Sequence, residues 1–194
     1  VTTATLKTNG KAEIKIHAPR RLDIACGKNK QPGFKGIDIA GDADIVWDLN
    51  ETPWPIKTSS VREVFCAHYV EHIPHMQPGW DRDGWWRFFD ELHRIMAKGA
   101  IAEFIHPYVM SGRAFWDPTH VRFIHEVTWY YLDKQWRERE SLDHYPVSCD
   151  FEVITVDGLG IPQEIVARNL EQQAYARNHY WNTVADLRVL LKAR

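Results

Sequence analysis

The sequence is poor in sulfur: among 194 residues there are three cysteines and three methionines. Cys26, Cys66 and Cys149 are odd in number and far apart, which argues against a disulfide framework and for reduced, buried thiols in a cytoplasmic protein. No apolar run approaches the ~20 residues that cross a bilayer, and the N-terminus carries no apolar segment of the signal-peptide kind, so neither membrane insertion nor export is expected. There is no block of one charge either. The formal net charge is −2, with 24 Lys and Arg interleaved among 26 Asp and Glu, a mixture that leaves nucleic acid unsupported as a partner. Internal repeats and low-complexity segments are absent, and so is the His-Glu-x-x-His pattern of zinc hydrolases. The length suits one domain over 1–194, with 107–148 as an insertion that covers a pocket.

What the chain does have is a run, Arg21-Leu22-Asp23-Ile24-Ala25-Cys26-Gly27, followed closely by Gly36-Ile37-Asp38-Ile39. The first half reads as a buried parallel strand that ends in small residues and feeds a tight turn. The second is another short strand with a carboxylate, Asp38, at its end. In open α/β sheets ligands sit beyond the carboxyl ends of the strands, where exposed backbone N–H groups and an acid suit a nucleoside.

Further strands are expected over 12–17, 43–49, 61–67, 100–105, 151–156 and 184–192, and residues 1–10 as a loose arm. Helices are expected over 81–98, 128–136 and 163–178. The first is the clearest, because Trp85, Phe88, Phe89, Leu92, Ile95 and Met96 recur at three- and four-residue steps, with Gly99 as its stop. Thr52-Pro53-Trp54-Pro55 breaks the chain, and 107–125 is rich in turns.

At Leu22-Asp23-Ile24-Ala25-Cys26-Gly27 and Asp38 the sequence resembles the class I S-adenosylmethionine-dependent methyltransferases. Asp48-Leu49, Ala67-His68-Tyr69-Val70-Glu71-His72 and Glu91-Leu92-His93-Arg94-Ile95-Met96-Ala97-Lys98-Gly99 match later motifs of that family in order. The resemblance implies a Rossmann-like three-layer fold, with a mostly parallel sheet and an antiparallel last strand. It also implies S-adenosyl-L-methionine as cofactor, and methyl transfer to an acceptor. The cofactor residues carried over are Asp23, Ala25, Cys26, Gly27, Asp38, Ile39, Asp48, Leu49 and His68. Among them Asp38 takes the ribose, Asp48 and Leu49 the adenine, and Asp23 and His68 the methionine end. Two departures stand out. Ala25 replaces the usual glycine, which restricts positive φ, and only eight residues separate Gly27 from Gly36, too few for a helical crossover.

An oxygen or nitrogen acceptor must lose a proton, for which His106, at a strand end, and His120, in Asp-Pro-Thr-His-Val-Arg, are the candidates. Cys26 reads as a small buried filler without a partner base. Two other functions remain open. The cluster of His68, Glu71, His72 and His75 could serve a metal-dependent hydrolase or a metal-binding domain, although Pro74 interrupts the turn after it. The altered first motif also suits a module that binds the cofactor and transfers nothing. The nine tryptophans read mainly as core, with some rings available to an acceptor pocket.

Overall fold

The computed structural model describes residues 4–6 and 14–194. Strands β1 (Ala4–Leu6) and β2 (Ile14–Ile16) pair antiparallel, so part of the expected N-terminal arm is a strand; the rest of that arm and the start of the strand expected at residue 12 lie outside the described residues. The main sheet has seven strands: β3 (Arg21–Ile24), β4 (Lys35–Asp38), β5 (Ile45–Val46), β6 (Val61–Ala67), β7 (Met96–Pro107), β8 (Phe151–Leu159) and β9 (Asp186–Ala193). Their order is β5-β4-β3-β6-β7-β9-β8. Strands β3 to β7 are mutually parallel, and β9 runs antiparallel to both of its neighbours. The α/β class, the parallel sheet and the antiparallel last strand are as expected.

Register explains which face is core. Leu22 lies opposite Val64 and Val64 opposite Ala102, while Ile24, Cys66, Phe104 and Val189 form the next row. All of these are buried. Helix α1 (Gly84–Ile95) covers this face with Trp85, Phe88, Phe89, Leu92 and Ile95, the stripe legible in the sequence. It starts later than expected, because the Asp83 side chain accepts the Trp85 N–H at 2.8 Å and caps it there. It also ends earlier. Met96 is already extended, the chain passes directly into β7, and Gly99, with φ of 79°, is a kink within that strand rather than a helix stop.

The opposite face is built differently. Cross-strand ion pairs Arg21–Glu63, Glu103–Arg188 and Glu152–Lys192 line it at 2.7, 2.6 and 3.3 Å. Phe65, Ile101, Ile105 and Leu190 between them are only half-buried. The three connections between β3 and β6 contain no helix.

Beyond β7 come α2 (Arg113–Trp116), a 3₁₀ helix over Glu126–Leu132 and α3 (Lys134–Arg139). Asp133, which accepts the Trp136 N–H, splits the single helix expected over 128–136. Asn169 does the same between α4 (Gln163–Val166) and α5 (Leu170–His179) by accepting the Gln172 N–H. Trp129 is fully buried, packed against Phe89, Phe104 and Trp85. The segment after β7 therefore belongs partly to the core. Strand β5 is shorter than the 43–49 expected.

Candidate functional site

Strand order reverses between β3 and β6, and the crevice beyond their carboxyl ends is where an open α/β sheet binds ligands. Two left-handed residues shape the first wall: Ala25, with φ of 53°, and Gly27, with φ of 49°. Ala25 thus adopts the conformation its side chain disfavours, held by its N–H bond to Ile37 O at 2.9 Å. A Cβ on Gly27 would meet nothing within 4 Å, so backbone conformation selects glycine there. At Gly36 the reason is crowding, since a Cβ would collide with Cys26 Sγ. Cys26 is accordingly a packing residue, and burial pushes its thiol pKa up, away from nucleophilic use.

Asp38 bridges the two strand ends. One oxygen accepts the Gly27 N–H at 2.9 Å and the other the Ala40 N–H at 2.8 Å. Beside it Ile39 is 71% exposed. Trp47 N–H donates to Asp38 O at 2.8 Å and draws the next strand end alongside, where Asp48 accepts the Asn50 N–H at 2.9 Å and Leu49 is buried. Asp23 is buried, accepts the Gln31 N–H at 2.7 Å, and has its pKa raised by that burial.

His68 directly follows β6, with φ of 53°. Its Nδ1 lies 3.3 Å from Glu71 Oε1, and this carboxylate raises the imidazole pKa. Asp186, itself 3.2 Å from Arg113, is a further acidic neighbour whose carboxyl is pushed up by burial. The expected residues Asp23, Ala25, Gly27, Asp38, Asp48, Leu49 and His68 therefore meet at one edge of the sheet. Tyr69 joins them. Burial raises its phenol pKa, and Cys66, Asp48 and Asp38 add to the shift. Nothing in its sequence position distinguished it from a core aromatic.

The two histidines expected to move protons fare differently. His106 is 0% exposed. Its Nε2 accepts the Trp129 indole N–H at 3.1 Å and its Nδ1 bonds Pro107 O at 2.9 Å. Burial lowers its pKa to about 4. Both nitrogens of His106 are thus engaged inside the core, and neither is open to the crevice. His120 reaches the site edge, with Nδ1 bonded to Ala114 O at 2.9 Å and Nε2 directed at Glu71.

The His68/His72/His75 metal set does not assemble. His75 turns away, to Asp83 at 3.3 Å and to Val121 O at 3.0 Å. His120 instead joins Glu71 and His72, a grouping hidden in the sequence because the two segments are far apart. Separately, Trp85, Trp86, Tyr131 and Tyr145 line a cleft of about 500 Å³ next to His75 and Arg122, and Phe115 and Phe123 stack in the open, with centroids 4.6 Å apart.

Solved structures share this architecture. A SAM-dependent methyltransferase from Archaeoglobus fulgidus superposes with a TM-score of 0.58 at 18% identity, covering 89% of this chain and 86% of that one. Another, from Methanosarcina mazei, gives 0.51 at 13% identity over 90% and 92% of the two chains. The fold is that of the SAM-dependent methyltransferases. A third methyltransferase structure, from Thermotoga maritima, gives 0.51 at 13% identity, over 92% of this chain and 84% of that one. Comparison of the sequence with protein families and with curated proteins gives no match. At these identities the likeness establishes the methyltransferase fold, and the chemistry has to be argued from the site.

Proposed function

We propose that this chain binds S-adenosyl-L-methionine across the carboxyl ends of β3, β4 and β5 and catalyses methyl transfer to an acceptor. The observation that carries the reading is the Asp38 bridge to Gly27 beside a left-handed Ala25. It sets a carboxylate, exposed backbone and open space in one crevice, which is the donor and acceptor set a nucleoside needs. When bound, the cofactor supplies a sulfonium whose methyl carbon is electrophilic.

The protein's own task is alignment and exclusion of water. Asp38 would accept the ribose hydroxyls, exchanging its bonds to the Gly27 and Ala40 amides for them. Asp48, Leu49 and the exposed Ile39 would border the adenine. The small residues Ala25 and Gly27 admit the chain of the methionine, whose ammonium Asp23 would offset. His68, at the end of β6, would face the reacting end. Segment 107–148 supports the acceptor side, since it supplies His120 and much of the aromatic cleft. Of the two histidines considered for proton transfer, only His120 retains a ring nitrogen with no hydrogen-bond partner.

Among the described residues no helix is long and apolar enough to cross a membrane, and the buried, unpaired Cys26, Cys66 and Cys149 support a cytoplasmic location. Calorimetric titration with S-adenosylhomocysteine tests the reading. Micromolar binding that is lost in Asp38→Ala is expected; a folded wild-type protein that binds nothing would overturn it.

A further inference from the structure

We propose that Glu71, His72 and His120 bind a divalent transition-metal cation of the zinc type. The first ground is a buried carboxylate. Glu71 is 2% exposed, and neither of its carboxylate oxygens makes a hydrogen bond. His68 Nδ1 lies 3.3 Å from one of them and pairs with it when protonated. A carboxylate taken out of water with no hydrogen bond to either oxygen is stabilised by a cation, and the imidazole of His68 approaches only Oε1.

The second ground is the state of the two imidazoles. Thr119 Oγ1 donates its proton to Asp117 Oδ1 at 2.6 Å, so it must accept from His72 Nδ1–H at 3.0 Å. Nε2 of His72 is then a lone-pair donor. His120 Nδ1–H donates to Ala114 O, which leaves its Nε2 with a lone pair as well, 4.0 Å from Glu71 Oε1. With that tautomer, two lone-pair acceptors, Glu71 Oε1 and His120 Nε2, face one another. Backbone or hydroxyl oxygens on Nδ1 are the outer partners that orient metal-bound histidines.

Geometry is the third. One ligand atom from each of the three residues lies within 4.8 Å of the others, and the two rings stand nearly perpendicular, with centroids 4.7 Å apart. Zinc bonds to nitrogen and oxygen run to about 2.0–2.2 Å, so small rotamer changes would close the set on one ion. The backbone is already locked, because Val121 and Arg122 N–H groups both donate to Glu71 O at 3.0 and 3.1 Å. Two nitrogens and one carboxylate leave a coordination position open. The ion would lie beside His68, where it could hold an oxygen or nitrogen of the acceptor. That last role rests on the methyl-transfer reading, whereas the binding itself does not. Ligation also replaces proton transfer as the work of His120.

The test is titration of the chelator-treated protein with Co²⁺, followed by visible absorption, and then displacement with Zn²⁺. One equivalent with intense d–d bands is expected in the wild type. Glu71→Gln and His120→Asn should each weaken binding by about tenfold or more, with their circular dichroism unchanged, and His75→Ala should bind as the wild type does. Absence of a stoichiometric Co²⁺ or Zn²⁺ site, or equal binding by a folded Glu71→Gln, would overturn the proposal. S-adenosylhomocysteine titration of the same samples reports the cofactor site separately, so loss of one reading leaves the other standing.

Discussion

Ala25 and His68 directly follow two hydrogen-bonded parallel strands, β3 and β6, with the same left-handed backbone angle, φ of 53° in each. Such a conformation costs a residue with a Cβ about 1–2 kcal/mol and gathers at functional sites. Both turns bend the chain sharply at the sheet edge, on either side of the point where strand order reverses.

That strain gives a first prediction. Ala25→Gly removes the Cβ cost but adds roughly 0.5–1 kcal/mol of backbone freedom to the unfolded chain. The net expectation is a variant more stable by up to about 1 kcal/mol. Ala25→Val, with a branched side chain at positive φ, should lose more than about 1 kcal/mol. Urea unfolding of the three proteins checks the order Gly, Ala, Val; a valine variant as stable as the wild type would remove the strain argument.

Asp38 carries the second. Hydrogen bonds to a charged acceptor contribute about 1.5–3 kcal/mol each, so Asp38→Ala should weaken S-adenosylhomocysteine binding by roughly two orders of magnitude. Asp38→Asn keeps one oxygen and should fall between. If both variants bind as the wild type does, Asp38 is only a turn-closing residue for Gly27.

The third concerns acid stability. His106 has a folded pKa of about 4 because it is buried, against an ordinary value of 6.5. The unfolded chain therefore takes up this proton first as pH falls. The contribution of neutral His106 is complete above pH 6.5 and declines between 6.5 and about 4, by about 1.4 kcal/mol per pH unit. The measurement is unfolding free energy against pH in the wild type and in His106→Gln, whose curve should lack this slope. Parallel curves would mean that the ring is not held neutral.

Trp129 supplies the fourth. Its indole fills the space between Phe89, Phe104 and His106 and donates to His106 Nε2. Trp129→Ala should destabilise by about 3–5 kcal/mol. Trp129→Phe keeps much of the packing and leaves His106 Nε2 unpartnered, at a cost of about 1–3 kcal/mol. Thermal and urea unfolding would distinguish them; a Trp129→Phe variant as stable as the wild type would mean that the hydrogen bond contributes little.

Much of the frame was legible in the residues themselves. Leu22, Ile24, Val64, Cys66, Ala102 and Phe104 stand out as strand positions because a buried parallel sheet needs apolar runs. Trp85, Phe88, Phe89 and Leu92 show their helix because only the 3.6-residue period puts them on one face. Short connections announce themselves too: the eight residues between Gly27 and Gly36 leave no room for a helix, and none forms there. Helix ends were less legible, since Asp83, Asp133 and Asn169 act as caps only when their side chains meet particular N–H groups.

By itself the sequence determined the α/β class, the sheet edge at which Asp38 and Gly27 meet, and the stripe of α1, because each depends on neighbours in the chain or on a repeating period. Only the tertiary structure decided the work of the histidines. His106 was drawn inside and fully bonded, His75 turned to Asp83, and His120 brought from beyond β7 to Glu71 and His72. An imidazole can donate, accept, titrate or ligate, and which of these it does is set by the groups its two nitrogens meet, groups that distant segments supply only once the chain has folded.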